Sequence, residues 1–138
     1  MKIIYNKAIP FKGFAAINLF GVLFVREELR EYYESDGNAM MYLLRHEGTH
    51  TKQMKELGYI GFFVFYFIEW LVRFSYRLIV SIRLAIKYPA RREPLGKFIA
   101  GVNMAAYRLI SFECEARRLE NSDREYNNRK HYGWAKYI

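Results

Sequence analysis

The segment from Asn38 to Leu57 carries a stripe of Ala39, Leu43, His46, His50, Met54 and Leu57, at intervals of 4, 3, 4, 4 and 3 residues. That spacing is the repeat of an amphipathic α-helix, and it puts both histidines on the apolar face. The preceding cluster Ser35-Asp36-Gly37-Asn38 offers capping side chains, and Gly58 is a usual C-terminal stop. Burying two imidazoles without partners costs a few kcal/mol, and a core would be filled more cheaply by leucine. A chain with this helix is therefore expected to use the two rings together.

Around that helix the pattern is mixed. Residues 3–26 read as short β-strands, from Ile3, Ile4 and Tyr5 through a Pro10–Gly13 turn signal to the run Phe14–Val25. A helix over Ala15–Leu29 is the competing assignment, since short apolar runs are ambiguous. Glu27–Glu34 is charged and reads as helix or loop. A second helical region spans about 60–87 and ends before Pro89, and the stretch Ala90–Gly96 reads as a loop. A third spans about 97–121, with a break near Ser111. The tail from Ser122 is polar, with Tyr126, Tyr132, Trp134 and Tyr137 available to pack back. The expectation is an α+β fold, mostly helical, in one domain by size over residues 1–138.

Composition narrows the classes. With 52% hydrophobic and 18% aromatic residues, the chain is too apolar for disorder. Its one cysteine, Cys114, excludes an internal disulfide and a Cys-rich zinc knuckle. That suits a reducing compartment, so a cytoplasmic location is expected. The charge balance, 22 − 14 = +8, favours acidic partners or anionic membrane surfaces. No nucleic-acid motif accompanies it, so nucleic acid is not expected. Gly13–Val25 is apolar but runs into Arg26-Glu27-Glu28 without a cleavage site, unlike a signal peptide. Tyr59–Val72 is interrupted by Glu69 and is shorter than the ~20 residues a membrane crossing needs. A helix that is buried, or that lies on a membrane surface, fits it better. Arg73, Arg77, Arg83 and Lys87 then read as a solvated face or as a basic strip against phospholipid or an acidic partner.

The chemistry concentrates at His46-Glu47-Gly48-Thr49-His50, an H-E-x-x-H motif on the predicted helix. Four residues advance a helix by slightly more than one turn, so His46 and His50 project side by side. Two imidazole nitrogens so placed suit one Zn²⁺ per chain, at about 2.0–2.1 Å. Glu47, angled to the side of the pair, is placed to take a proton from a metal-bound water rather than to ligate. Gly48 inside the helix costs about 1 kcal/mol and suggests the close approach of another backbone, such as a substrate strand. Catalytic zinc takes three protein ligands, and the acidic candidates for the third are Glu69, Glu113 and Glu115. Glu69 would need an antiparallel return of the next helix, and it has Arg73 four residues on as an ordinary partner. Glu113 and Glu115 are two apart, so only one of them can face the metal. The residues alone leave that choice open.

The runs His46-Glu47-Gly48-Thr49-His50-Thr51-Lys52-Gln53 and Ala106-Tyr107-Arg108-Leu109-Ile110-Ser111-Phe112-Glu113-Cys114-Glu115-Ala116-Arg117 resemble a group of small zincin-like metallopeptidases. The pattern in that group is HExxHxxQ followed by a tyrosine-containing segment and Phe-Glu-x-Glu-Ala. The same residues are distantly similar to CAAX-protease and heat-shock membrane metallopeptidases, whose Glu-x-x-Ala-Asp motif supplies the third ligand. That resemblance implies Glu113 as the ligand, with Ala116 matching and Arg117 standing where those families have Asp. Glu69 keeps the spacing of gluzincin aminopeptidases and is the second candidate. The resemblance covers roughly residues 43–118 and implies a zinc-dependent hydrolase of peptide or protein substrates. Tyr107 and His131 read first as packing or surface residues, with oxyanion stabilisation as the functional alternative, and the N-terminal strands would supply an edge for the substrate backbone. The alternative is a non-catalytic interaction module pinned by its metal, at a membrane surface or against an acidic partner.

Overall fold

The computed structural model describes residues 1–10, 14–88 and 93–138. Strands β1 (Lys2–Asn6), β2 (Ala16–Leu19) and β3 (Val22–Arg26) form a small mixed sheet in the order β1-β3-β2. β1 runs parallel to β3, and β2 runs antiparallel to it. The hairpin between β2 and β3 turns through Phe20 and Gly21, both left-handed at φ 53° and 83°. Two successive positive φ values make the tight turn whose twist matches the flanking strands. Leu23 and Val25 on the central strand are fully buried. The N-terminal run is thus strand, and the helix considered for Ala15–Leu29 does not form. The Pro10–Gly13 turn signal falls largely outside the described residues.

A 3₁₀ turn (Glu27–Leu29) and the short helix α1 (Arg30–Ser35) lead into α2 (Gly37–Leu57), the helix predicted from the histidine stripe. Asp36 caps α2 by accepting from the backbone N–H groups of Asn38 and Ala39, at 2.9 and 3.1 Å. Gly58, at φ 71°, ends it. Helix α3 (Tyr59–Lys87) leaves α2 at an angle of 108°. The third helical region is two helices, α4 (Leu95–Tyr107) and α5 (Ser111–Leu119), broken ahead of Ser111 as the sequence suggests. Leu95 and Gly96 already belong to α4, so the predicted loop ends earlier than Gly96, and residues 90–92 lie outside the described residues. Helix α6 (Asp123–Asn127) and a 3₁₀ turn (Gly133–Tyr137) complete the described chain. The fold is α+β and mostly helical.

The core lies where α2, α3, α5 and the tail converge. Met54, Phe62, Ile110, Phe112 and Trp134 form its buried cluster. The Phe112 ring centre is 4.9 Å from that of Phe62 and 4.7 Å from that of Trp134. The tail therefore does pack back, chiefly through Trp134. Buried Asn18 ties the sheet to α2: its Nδ2 donates to the Glu47 carbonyl at 2.7 Å and to Thr51 Oγ1 at 2.8 Å. With these bonds the edge strand β2 is held against the helix that carries the histidines.

Candidate metal centre

His46 and His50 lie one turn apart on α2, and α5 crosses them so that Glu113 meets both rings. His50 Nε2 is 3.1 Å from Glu113 Oε1, His46 Nε2 is 3.5 Å from Glu113 Oε2, and the two Nε2 atoms are 3.3 Å apart. Donors held at 2.0–2.1 Å from a tetrahedral ion lie about 3.3–3.4 Å from one another, and these spacings are of that size, with the two histidines facing different oxygens of Glu113. The three residues form a group that can hold a metal ion.

Hydrogen bonds behind the rings decide which lone pairs face inward. Gln53 Nε2 donates to the Phe112 carbonyl at 3.1 Å and to Glu115 Oε2 at 2.9 Å, which fixes its amide oxygen toward His50 Nδ1 at 2.7 Å. An amide oxygen only accepts, so His50 Nδ1 carries a proton and Nε2 of the neutral ring presents a lone pair to Glu113. His46 Nδ1 is 2.8 Å from Glu120 Oε2, which orients its ring in the same way. A carboxylate or amide behind each imidazole is the usual support of a metal-bound histidine. Two lone pairs and a carboxylate facing one another repel unless a cation lies between them. Glu113 Oε2 is buried and has no hydrogen-bond partner, which an ion would supply.

Without a metal, protons fill that role. Burial opposes charge on His46, yet Glu113 and Glu120 outweigh it and push the ring up to about 10. Burial likewise opposes charge on His50, and Glu113 again raises it. Burial alone would raise Glu113, but the two histidines hold its carboxyl far below the ordinary range. Glu47 differs. Burial raises it, the histidines pull it down only in part, and among the described residues no side chain donates to its carboxylate. It lines a cavity of about 230 Å³ with His50, Glu113, Asn18, Tyr66 and Tyr107, walled by apolar groups including Phe14, Ile17 and Phe62.

The structure separates the three acidic candidates. Glu69 does not reach the histidines, because α3 bends away at Gly58 instead of returning antiparallel. Its carboxylate accepts from Ser111 N and Ser111 Oγ at 2.9 and 2.6 Å, at the start of α5, and pairs with Arg73. Glu115 turns to Arg129 and Gln53, at 2.9 Å from each. Of the two oxyanion candidates, Tyr107 borders the cavity, while His131 is almost fully exposed beside Glu56 and away from the histidines. The close neighbour of Gly48 is also not the one expected: a Cβ there would run into the hydroxyl of Tyr126. Arg117, at the position where the resembling families have Asp, donates to the Glu113 and Arg108 carbonyls at 3.2 and 2.9 Å.

Two contributors, Tyr66 and Glu120, escaped the sequence, and a third, Gln53, stood in the HExxHxxQ pattern without a role. Tyr66 donates to Glu113 Oε1 at 3.0 Å from one turn before Glu69 on α3, and burial pushes its phenol well above the ordinary range. Glu120 lies two turns after Glu113 on the same face, a signal visible in the spacing. Gln53 lies three residues after His50, also within helical reach. Comparison of the chain with protein-family models, curated proteins and solved structures finds no match, so the donor set itself carries the case for a metal.

Proposed function

We propose that the chain is a zinc-dependent hydrolase of peptide bonds, with His46, His50 and Glu113 as the metal ligands and Glu47 as the general base and acid. Two imidazoles and one carboxylate suit zinc and leave a coordination position open. The observation that carries the proposal is Glu47: a buried carboxylate that takes no side-chain donor among the described residues and faces the same cavity as His50 and Glu113. A site built only to pin the fold has no use for such a group. Zinc, when bound, supplies a Lewis acid and makes water nucleophilic near neutral pH. Glu47 takes the proton onto a carboxylate oxygen and returns it to the leaving amine. Its raised pKa brings it closer to working pH, which favours both transfers. Burial and the Glu113 charge keep the Tyr107 phenol protonated, so it is available to donate to charge that develops on the carbonyl oxygen. Among the described residues the strand order leaves one side of β2 unpaired, and Ala16, Ile17 and Asn18 line the cavity, so an extended substrate can add along that edge.

The test is a metal analysis of purified protein together with cleavage of a mixed peptide pool. About one zinc per chain is expected, lost in His46→Ala, His50→Ala and Glu113→Gln and kept in Glu69→Gln. Glu47→Gln is expected to keep its metal and to lose 10²–10⁴-fold in cleavage rate. Metal retained by both histidine variants overturns the site. Metal bound as expected, with no cleavage that Glu47→Gln abolishes, leaves the ion a structural pin.

A further inference from the structure

Helix α3 is 29 residues long, about 43 Å at 1.5 Å per residue, and Phe62 is its one fully buried side chain. Ile60, Val64, Ile68, Val72, Ile79 and Ile86 lie within about 120° of one another on the helical wheel, and all are exposed, Ile60 to 82% and Ile86 to 71%. The exposed residues from Tyr59 to Ile82 include no charged side chain. Exposed Phe20 extends this surface onto the β2–β3 turn, its ring 5.3 Å from Tyr59 and 6.1 Å from Phe63. Phe63 also lines the Glu47 cavity, so the apolar face is continuous with the cavity wall. A soluble monomer rarely leaves so long an apolar strip uncovered.

Charge selects what covers it. Between Tyr59 and Tyr88 there are four basic residues, Arg73, Arg77, Arg83 and Lys87, against one acid, Glu69, which is turned inward to Ser111 and Arg73. Arg83 and Lys87 are exposed on the flank of the apolar strip. A second copy apposed on this face would bring like charges together without acidic partners. An anionic lipid surface meets both parts, taking the strip into its acyl boundary and the cations at its headgroups. No single helix among the described residues is long and apolar enough to cross a membrane. We propose that α3 lies in the plane of an anionic bilayer surface as its docking helix, with the mouth of the Glu47 cavity at the lipid boundary. The docking does not depend on whether the site is hydrolytic.

Flotation of the full chain with phosphatidylcholine vesicles, with and without phosphatidylglycerol, tests this. The chain should float with the anionic vesicles, and added salt should weaken the association. The pair Arg83→Glu and Lys87→Glu, and separately the pair Val72→Asp and Ile79→Asp, should each reduce partition about tenfold or more while leaving the thermal unfolding midpoint near wild type. All four residues are partly or wholly exposed, so folding should survive the changes. No flotation with either vesicle overturns the proposal, as does binding that Val72→Asp and Ile79→Asp leave unchanged. A dimer in sedimentation that those substitutions dissociate, without flotation, assigns the face to a second copy instead.

Discussion

His50 owes its orientation to side chains that never touch its Nε2. Arg129 pairs with Glu115, Glu115 accepts from Gln53 Nε2, and Gln53 Oε1 accepts a hydrogen bond from the His50 Nδ1–H. Replacing Gln53 by Leu removes that acceptor while keeping most of the volume, so the ring loses its fixed tautomer. Metal affinity, measured by competition with a chromophoric chelator, should fall about 10–100-fold, with helix content unchanged. Unchanged affinity would mean that packing against Phe62 alone sets the ring. The histidine pair was legible because helical spacing is a local property, whereas Glu113 was set apart from Glu69 and Glu115 only by the resemblance to the Glu-x-x-Ala-Asp pattern. Tyr66 was not legible, since its role depends on the angle at which α3 leaves Gly58. His131, in the polar tail, is the surface residue that its setting suggests.

Helix α2 is held from both sides, by Asn18 of β2 and by Tyr126 of α6. Gly48 is where the second contact is closest, with the Tyr126 hydroxyl in the space a Cβ would need. Lys52, one turn on, donates to the Tyr126 carbonyl at 2.9 Å and lies 3.5 Å from the ring centre. In an open helix Gly→Ala gains about 1 kcal/mol, whereas overpacking costs about 1–3 kcal/mol. Gly48→Ala should therefore destabilise the wild-type chain and stabilise the Tyr126→Ala chain. Urea unfolding of the four members of that cycle checks the change of sign. The sequence marked Gly48 as a close approach, but α6 is a five-residue helix whose docking no local pattern announces.

Across the whole molecule the tail closes over α2 through Glu56. Its carboxylate pairs with Arg129 and accepts from Tyr132 N at 3.1 Å and from the Trp134 indole at 3.2 Å. Burial works against charge here, but those donors hold Glu56 below its ordinary value of 4.5. The unfolded chain takes up that proton at a higher pH than the folded chain. The stabilisation is thus complete above the unfolded value and is lost as pH falls through the folded one. Glu56→Gln should be less stable than wild type at neutral pH and should lose less on acidification below 4.5, as read from urea midpoints across that range. The α+β class and the three helical regions were legible because period and turn residues are written along the chain. The tail clamp was not, since it joins residues more than seventy positions apart, as Glu56 and Trp134 are, and the angle at Gly58 was not, since a glycine marks a helix end without fixing the direction of the next helix. The Arg129 clamp has a consequence in time as well as in space. A ribosome delivers His46, His50 and Glu113 before it delivers Arg129, so the nascent chain carries all three donors while Glu115 and Gln53 still lack their anchor. An ion held there as proposed would be gripped in full only after Arg129 has been made, and a chain stalled before that residue would hold the donors without the grip.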